Sequence, residues 1–221
     1  IDQFAKGAMQ FHDHYSGGNS TRPGLFSLFY SIPPTYWSAM LNQHRGSLFI
    51  DTLMKKGYQM GVFMSASMKF PAFNKTVFLN VPNKRLTTPG KYTYQRDEKI
   101  TQEFQHFIKN RNQKKPLFSF LFYDGVHNYC APWPRSMMTK FTPVQQHCDR
   151  FDITDHTNTG PYMNRYRNAV YFDDGQVKKD LAALKKAGML KNTVVIVTAD
   201  HGESFDDNHD GYWGHASGFV S

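Results

Sequence analysis

The sequence predicts an α/β fold built on a doubly wound, mostly parallel sheet flanked by helices. Three observations lead there: an apolar run at Leu117 to Tyr123, a β-branched run at Thr193 to Thr198, and amphipathic helical spacing ahead of each. Parallel strands are covered on both faces, so they read as unbroken apolar runs rather than alternating ones. The 221 residues fit one large α/β domain or an incomplete one, and residues 1–221 are read as a single domain.

In chain order, Ile1 to Lys6 reads as the tail of a helix and Ala8 to His14 as a short strand. The turn Ser16-Gly17-Gly18 leads to a helix beginning near Thr21. Pro23 suits its first turn, where a missing N–H leaves no bond unmade. Leu25, Phe26, Leu28 and Phe29 supply its apolar face. Ser47 to Lys56 reads as a helix closed by Gly57, and Tyr58 to Ser65 as a strand. Asp97 to Asn110 is a second amphipathic helix, with Ile100, Phe104, Phe107 and Ile108 on one side. The stretch Asp124 to Tyr162 is long and irregular, a length that in a compact domain usually carries function. Tyr166, Val170, Asp173, Val177, Leu181 and Leu184 then recur at helical steps, so a helix spans about Arg165 to Ala187. Gly188 stops it. Thr193 to Thr198 follows as a buried parallel strand, and such sheets bind ligands beyond the carboxyl ends of their strands.

Composition narrows the function classes. Hydrophobic residues make up 40% and charged residues 20%, which excludes a disordered chain. No stretch approaches the roughly 18 apolar residues of a membrane span, and no signal peptide is visible at Ile1. The 26 Lys+Arg against 18 Asp+Glu give a net charge of +8. That balance serves solubility or favours anionic partners. The basic residues are scattered and no binding motif accompanies them, so nucleic acid is disfavoured. Cys130 and Cys148 form no C-x-x-C, which speaks against the usual structural zinc site. One disulfide across a loop and two unpaired thiols both remain open.

Three polar clusters carry the chemistry. Asp200-His201-Gly202-Glu203 follows the second apolar run, and Asp200 and His201 are oxygen and imidazole donors suited to a divalent ion. His215, in Trp213-Gly214-His215, brings another imidazole to that region, while Asp206, Asp207, His209 and Asp210 read as a solvated loop. Ser16 to Pro23 places hydroxyls in a glycine-bearing turn that opens a helix, where free N–H groups favour a negatively charged substrate. A metal beside such a hydroxyl would make it a nucleophile, although a plain helix cap uses the same residues. In Asp124-Gly125-Val126-His127, His127 is placed to hold a substrate oxygen or protonate a leaving group.

Together these motifs resemble the sulfatase and alkaline phosphatase superfamily. Thr21-Arg22-Pro23 matches the family's nucleophile-x-Pro helix start, and Leu28-Phe29 fall at its paired apolar positions. The late signature reads Tyr166-Arg167-Asn168-Ala169-Val170, Asn192-Thr193-Val194-Val195, Asp200-His201-Gly202-Glu203 and Gly214-His215. Within the superfamily the chain looks closest to the YejM-like (PbgA-like) inner-membrane proteins of Gram-negative bacteria. That resemblance rests on His14 to Ser20, Gly24 to Tyr30, Asn164 to Asn168 and Tyr212 to His215. It is also similar to the lipoteichoic acid synthases and phosphoethanolamine transferases, which use a threonine nucleophile.

The resemblance implies a metal-dependent hydrolase or transferase acting on a phosphate-type ester. Thr21 would be the nucleophile, with Ser20 as the alternative. Asp200, His201 and Thr21 would hold a divalent ion (Mn, Zn or Mg), Asn19, Ser20 and Arg22 would bind substrate, and His127 and His215 would assist catalysis. The substrate would be an anionic lipid or a phosphorylated envelope component. The implied place is the periplasmic face of the bacterial inner membrane, the full protein being membrane-anchored. The family's first metal-binding acid lies on a strand ahead of the nucleophile, and its final strands lie beyond the last signature. The chain is therefore expected to be incomplete at both ends. Thr21 stands where true sulfatases carry a cysteine, which argues against sulfate ester hydrolysis. The alternative is a non-catalytic lipid-binding or regulatory module that retains the fold. Tyr36, Trp37, Trp133 and Tyr162 read as its exposed aromatics.

Overall fold

The computed structural model describes residues 1–216 apart from Asp155, Asn208 and Asp210. Its helices are α1 (Asp2–Ala5), α2 (Thr21–Tyr30), α3 (Trp37–Asn42), α4 (Leu48–Lys55), α5 (Thr93–Asn110) and α6 (Gly160–Lys186). The strands are β1 (Gln59–Met64), β2 (Leu117–Phe122), β3 (Ser204–Phe205) and β4 (Trp213–Gly214). β1 and β2 pair in parallel, with Gln59 opposite Leu117 and Met64 opposite Phe122. β3 and β4 form a small antiparallel hairpin.

Strand alternation sorts the core into two layers. Met60 and Val62 of β1, with Phe118, Phe120 and Phe122 of β2, pack against Leu25, Phe26, Phe29 and Ile50 from α2 and α4. Phe63, Leu117 and Leu121 point the other way, onto Phe104 and Ile108 of α5 and Leu184 of α6. Helices on both faces of a parallel pair are the α/β arrangement expected of the sequence. Among the described residues, no helix is long and apolar enough to cross a membrane.

Several elements differ from expectation. Ala8 to His14 forms no strand. Its apolar residues face solvent, with Met9 80% and Phe11 75% exposed, so no sheet edge takes it. α5 starts four residues early because Tyr92 and Gln95 form a capping box there. α6 starts at Gly160, where Pro161 occupies the first turn, and it ends before Gly188 at φ 69°. Leu28 is half exposed while Leu25, Phe26 and Phe29 are buried. Trp37 and Trp133 are buried among other aromatic rings and Tyr162 is buried, which leaves Tyr36 as the exposed one of the four.

Two corrections bear on the site. The buried stripe of α6 is Tyr162, Arg165, Asn168, Ala169, Asp173, Gln176, Asp180 and Leu184, so most of it is polar. Val170, Val177 and Leu181 line a cleft instead. Thr193 to Thr198 forms no strand, with Val194 88% and Ile196 78% exposed. A buried strand needs a neighbour for its N–H and C=O groups. Among the described residues β2 pairs with β1 alone, and a cavity of about 1000 Å³ lies between β2 and residues 193–199.

Candidate active site

The site forms where α2, the turn after β2 and the segment after residue 198 meet at one end of that cleft. Thr21, Asp124, His127, Asp200, His201 and Glu203 all line it. Thr21 is the first residue of α2. Ser20 precedes it in extended conformation as the N-cap, yet the Ser20 side chain makes no capping hydrogen bond. The Thr21 hydroxyl lies 3.4 Å from His201 Nε2. Helix and metal-candidate segment meet this closely because Gly24 has no side chain. A Cβ there would stand 2.0 Å from the Asp200 carbonyl oxygen.

His201 is held in a defined tautomer. Its Nδ1 lies 2.7 Å from the Gly202 carbonyl, which can only accept, so Nδ1 donates and Nε2 is the nitrogen left to face the site. That free nitrogen faces Thr21 and lies 3.6 Å from Asp200 Oδ2. Asp200 Oδ2 is buried without a hydrogen-bond partner. Zinc ligands sit about 2.0–2.1 Å from the ion, so two tetrahedral neighbours stand about 3.3 Å apart. The spacings, the orphaned oxygen and the carbonyl-oriented imidazole fit one side of a coordination sphere made by Thr21, Asp200 and His201. Among the described residues, no group of three His, Cys, Asp or Glu side chains is placed to hold a metal ion.

Three imidazoles stand in a row over this point. The His215 ring lies 4.6 Å from that of His201 and 4.9 Å from that of His127. Burial, and then His215, hold His127 below the ordinary histidine range. His215 follows β4 and is tied to the nucleophile loop, since the Ala216 amide donates to the Asn19 carbonyl at 2.8 Å. Asn19 and Ser20 are half-buried beside Thr21 but do not line the cleft. Arg22 is exposed and does not line it either. Its guanidinium lies 5.5 Å from the Trp37 ring and 5.9 Å from that of Phe70.

A seam of buried carboxyls supports the turn that presents His127. Asp97, on α5, accepts from the backbone amide of Asp124 at 3.0 Å, and Asp173, on α6, lies beside Asp97 and the turn. Gly125 is required, because a Cβ there would lie 2.7 Å from Asp97 Oδ2 and 3.1 Å from Asp173 Oδ1. Burial raises Asp97 to about 6 and Asp124 to about 7, and lifts Asp173 well above the carboxylate range, each helped or opposed by its neighbours. Arg96 Nη2, 3.6 Å from Asp124 Oδ2, partly offsets this. Farther along the seam the Tyr123 hydroxyl donates to Asp180 Oδ2 at 2.5 Å, and burial raises Asp180 to about 7. Sequence reading missed Asp97 and Asp180 and counted Asp173 as part of an apolar stripe. Acidic residues recurring on two otherwise amphipathic helices were the available signal.

The irregular stretch is a built loop. Cys130 and Cys148 are disulfide-bonded, with Cα atoms 4.9 Å apart. Arg165 is buried and clamps both limbs, donating to the carbonyls of Tyr129 at 3.0 Å, Gln145 at 2.9 Å and Ala131 at 2.7 Å. Asn168 Oδ1 accepts from the Lys140 and Phe141 amides, and its Nδ2 donates to the Phe141 and Asn164 carbonyls. Of the loop between β3 and β4, Asp206, Asp207 and His209 lie among the described residues and Asp210 outside them.

The family model described as Sulfatase matches residues 1–219. The inner membrane protein YejM of Salmonella typhimurium is 26% identical over 199 residues, which covers 90% of this chain and 29% of YejM. An uncharacterized protein of Haemophilus influenzae is 24% identical, covering 94% of this chain and 28% of that protein. The chain thus spans under a third of the length of these curated relatives. Among solved structures, the C-terminal periplasmic domain of the phosphoethanolamine transferase EptC from Campylobacter jejuni superposes with a TM-score of 0.69. The identity is 20%, over 97% of this chain and 64% of that one.

Proposed function

The chain belongs to the sulfatase family, and on that footing we propose a divalent-metal-dependent hydrolase or transferase acting on a phosphate-type ester through Thr21. One observation carries the proposal: the Thr21 hydroxyl lies 3.4 Å from the free nitrogen of His201, which is itself 3.6 Å from the orphaned Asp200 Oδ2. A divalent ion held by Thr21, Asp200 and His201 would lower the pKa of the hydroxyl and polarise the ester. Thr21 Oγ1, its proton released to solvent, would attack phosphorus, the leaving group would depart with the electrons of its P–O bond and take up a proton, and the phospho-threonine would pass to water or an acceptor. His127 and His215 would stand beside the phosphoryl oxygens and the leaving group, with His127 as the hydrogen-bond donor. With His127 held below the usual range, its neutral form prevails at pH 7 and offers one N–H. Asn19, Ser20 and Arg22 keep their proposed part in substrate binding as neighbours of the nucleophile.

The test is turnover of an aryl phosphate by the complete protein with manganese or zinc, beside Thr21→Ala. The variant should lose on the order of a thousandfold. Equal turnover sinks the assignment.

A second reading, a non-catalytic lipid-binding module, draws on exposed aromatics. Phe11, Tyr15, Phe70 and Phe151 are each at least 75% exposed. Metal analysis of the complete protein separates the two, since a chain that binds no divalent ion supports the module. For either reading we propose the periplasmic face of the inner membrane, with an anionic lipid or phosphorylated envelope substrate. The inner-membrane and periplasmic placement of the similar proteins, the disulfide and the net charge of +8 support it. Flotation should show binding to anionic but not neutral vesicles, weakening as salt rises. No binding at low salt would remove the electrostatic part of the case.

A further inference from the structure

The loop that Arg165 clamps ends, two residues past Cys148, at Arg150. Arg150 begins a short 3-10 turn, and the Asp149 side chain caps that turn by accepting from the Phe151 amide at 3.0 Å. From there Arg150 Nη1 reaches Glu203 Oε1 at 3.4 Å. The other oxygen of Glu203 lies 2.7 Å from His215 Nδ1. Gly214, beside it, has φ 145°, a backbone conformation that favours glycine. Glu203 and His215 are both nearly buried, and Arg150 is less than a third exposed. A carboxylate here can only accept, so His215 Nδ1 carries the proton and Nε2 is left for chemistry.

We infer that Glu203 and Arg150 are positioning residues for His215, and that the disulfide-closed loop delivers Arg150 to them. Glu203 fixes the tautomer and plane of the imidazole. Arg150 fixes Glu203, which would otherwise be free to rotate its carboxylate away from β4. The loop's disulfide, the Arg165 clamp and the Asn168 bonds all converge on holding the segment that ends in Arg150. The inference rests on the proposed role of His215 in catalysis, but its structural half stands apart from that role.

Two readouts on the complete protein keep the halves distinct. Side-chain nitrogen NMR of His215 should show a single tautomer with the proton on Nδ1. Arg150→Ala, Glu203→Gln and disulfide reduction should each give a mixture, and Arg150→Lys should restore most of the native state. With aryl phosphate and manganese, the same changes should lower kcat on the order of 10- to 100-fold with KM little altered. Unchanged tautomer populations in Arg150→Ala and Glu203→Gln would overturn the positioning role, whatever the activity. Unchanged populations on reduction would overturn the part assigned to the loop. Absence of turnover in every form would count against the enzyme reading and leave the tautomer result to decide this one.

Discussion

Asp97→Asn should stabilise the protein at alkaline pH and leave it unchanged in acid. Asp97 is fully buried, and burial raises its carboxyl from 3.8 to about 6. A raised acid favours the fold while protonated, so its stability contribution is present below the unfolded value and is lost as pH rises through the folded one. At about 1.36 kcal/mol per unit, the ionised form costs the fold on the order of 3 kcal/mol above pH 6. The amide keeps an oxygen for the Asp124 N–H, which Asp97 Oδ1 now accepts at 3.0 Å. Its NH2 group can meet Asp173 Oδ1, which has no partner. Equilibrium urea unfolding at pH 4 and pH 8 measures the effect as a shift in midpoint at constant slope. The expected gain at pH 8 is about 2–3 kcal/mol, with less than about 0.5 kcal/mol at pH 4. An equal change at both values, or a loss at pH 8, would refute the account of the carboxyl seam.

Other perturbations test the parts separately. Gly125→Ala sets a methyl 2.7 Å from Asp97 Oδ2 and should cost about 1–3 kcal/mol by thermal unfolding while reducing turnover, because the turn carrying His127 must shift. Gly24→Ala, with its Cβ 2.0 Å from the Asp200 carbonyl, should weaken manganese binding measured by calorimetry, and unchanged affinity would remove the close-approach argument. Reducing the disulfide opens a loop spanning 18 residues and should cost on the order of 3 kcal/mol in urea, read against the Cys130→Ser/Cys148→Ser double variant. Arg165→Met leaves three loop carbonyls without their donor and should expose residues 130–148 to limited proteolysis, with the rest of the chain protected.

What the sequence could and could not show follows from how each feature is encoded. Thr21, His127, Asp200 and His201 were legible because each follows a glycine turn or an apolar run, and a parallel sheet collects such ends at one place. The strand expected at 193–198 was legible as a strand former and not as a pairing. β-branched residues state that a segment is extended, whereas pairing depends on what lies beside it. For α6 the difficulty is one of rotation. A 3.6-residue period fixes that a stripe exists, yet Asp173 belongs equally to the apolar series through Val170 and Val177 and to the polar series through Asn168, Gln176 and Asp180. Hydrophobicity chose the first, and the structure turns the second inward. It can do so because the irregular loop and the turn after β2 bring backbone amides and carbonyls to Arg165, Asn168 and Asp173. The orientation of that helix is therefore written in the loop it holds, and no window confined to residues 160–186 could have contained it.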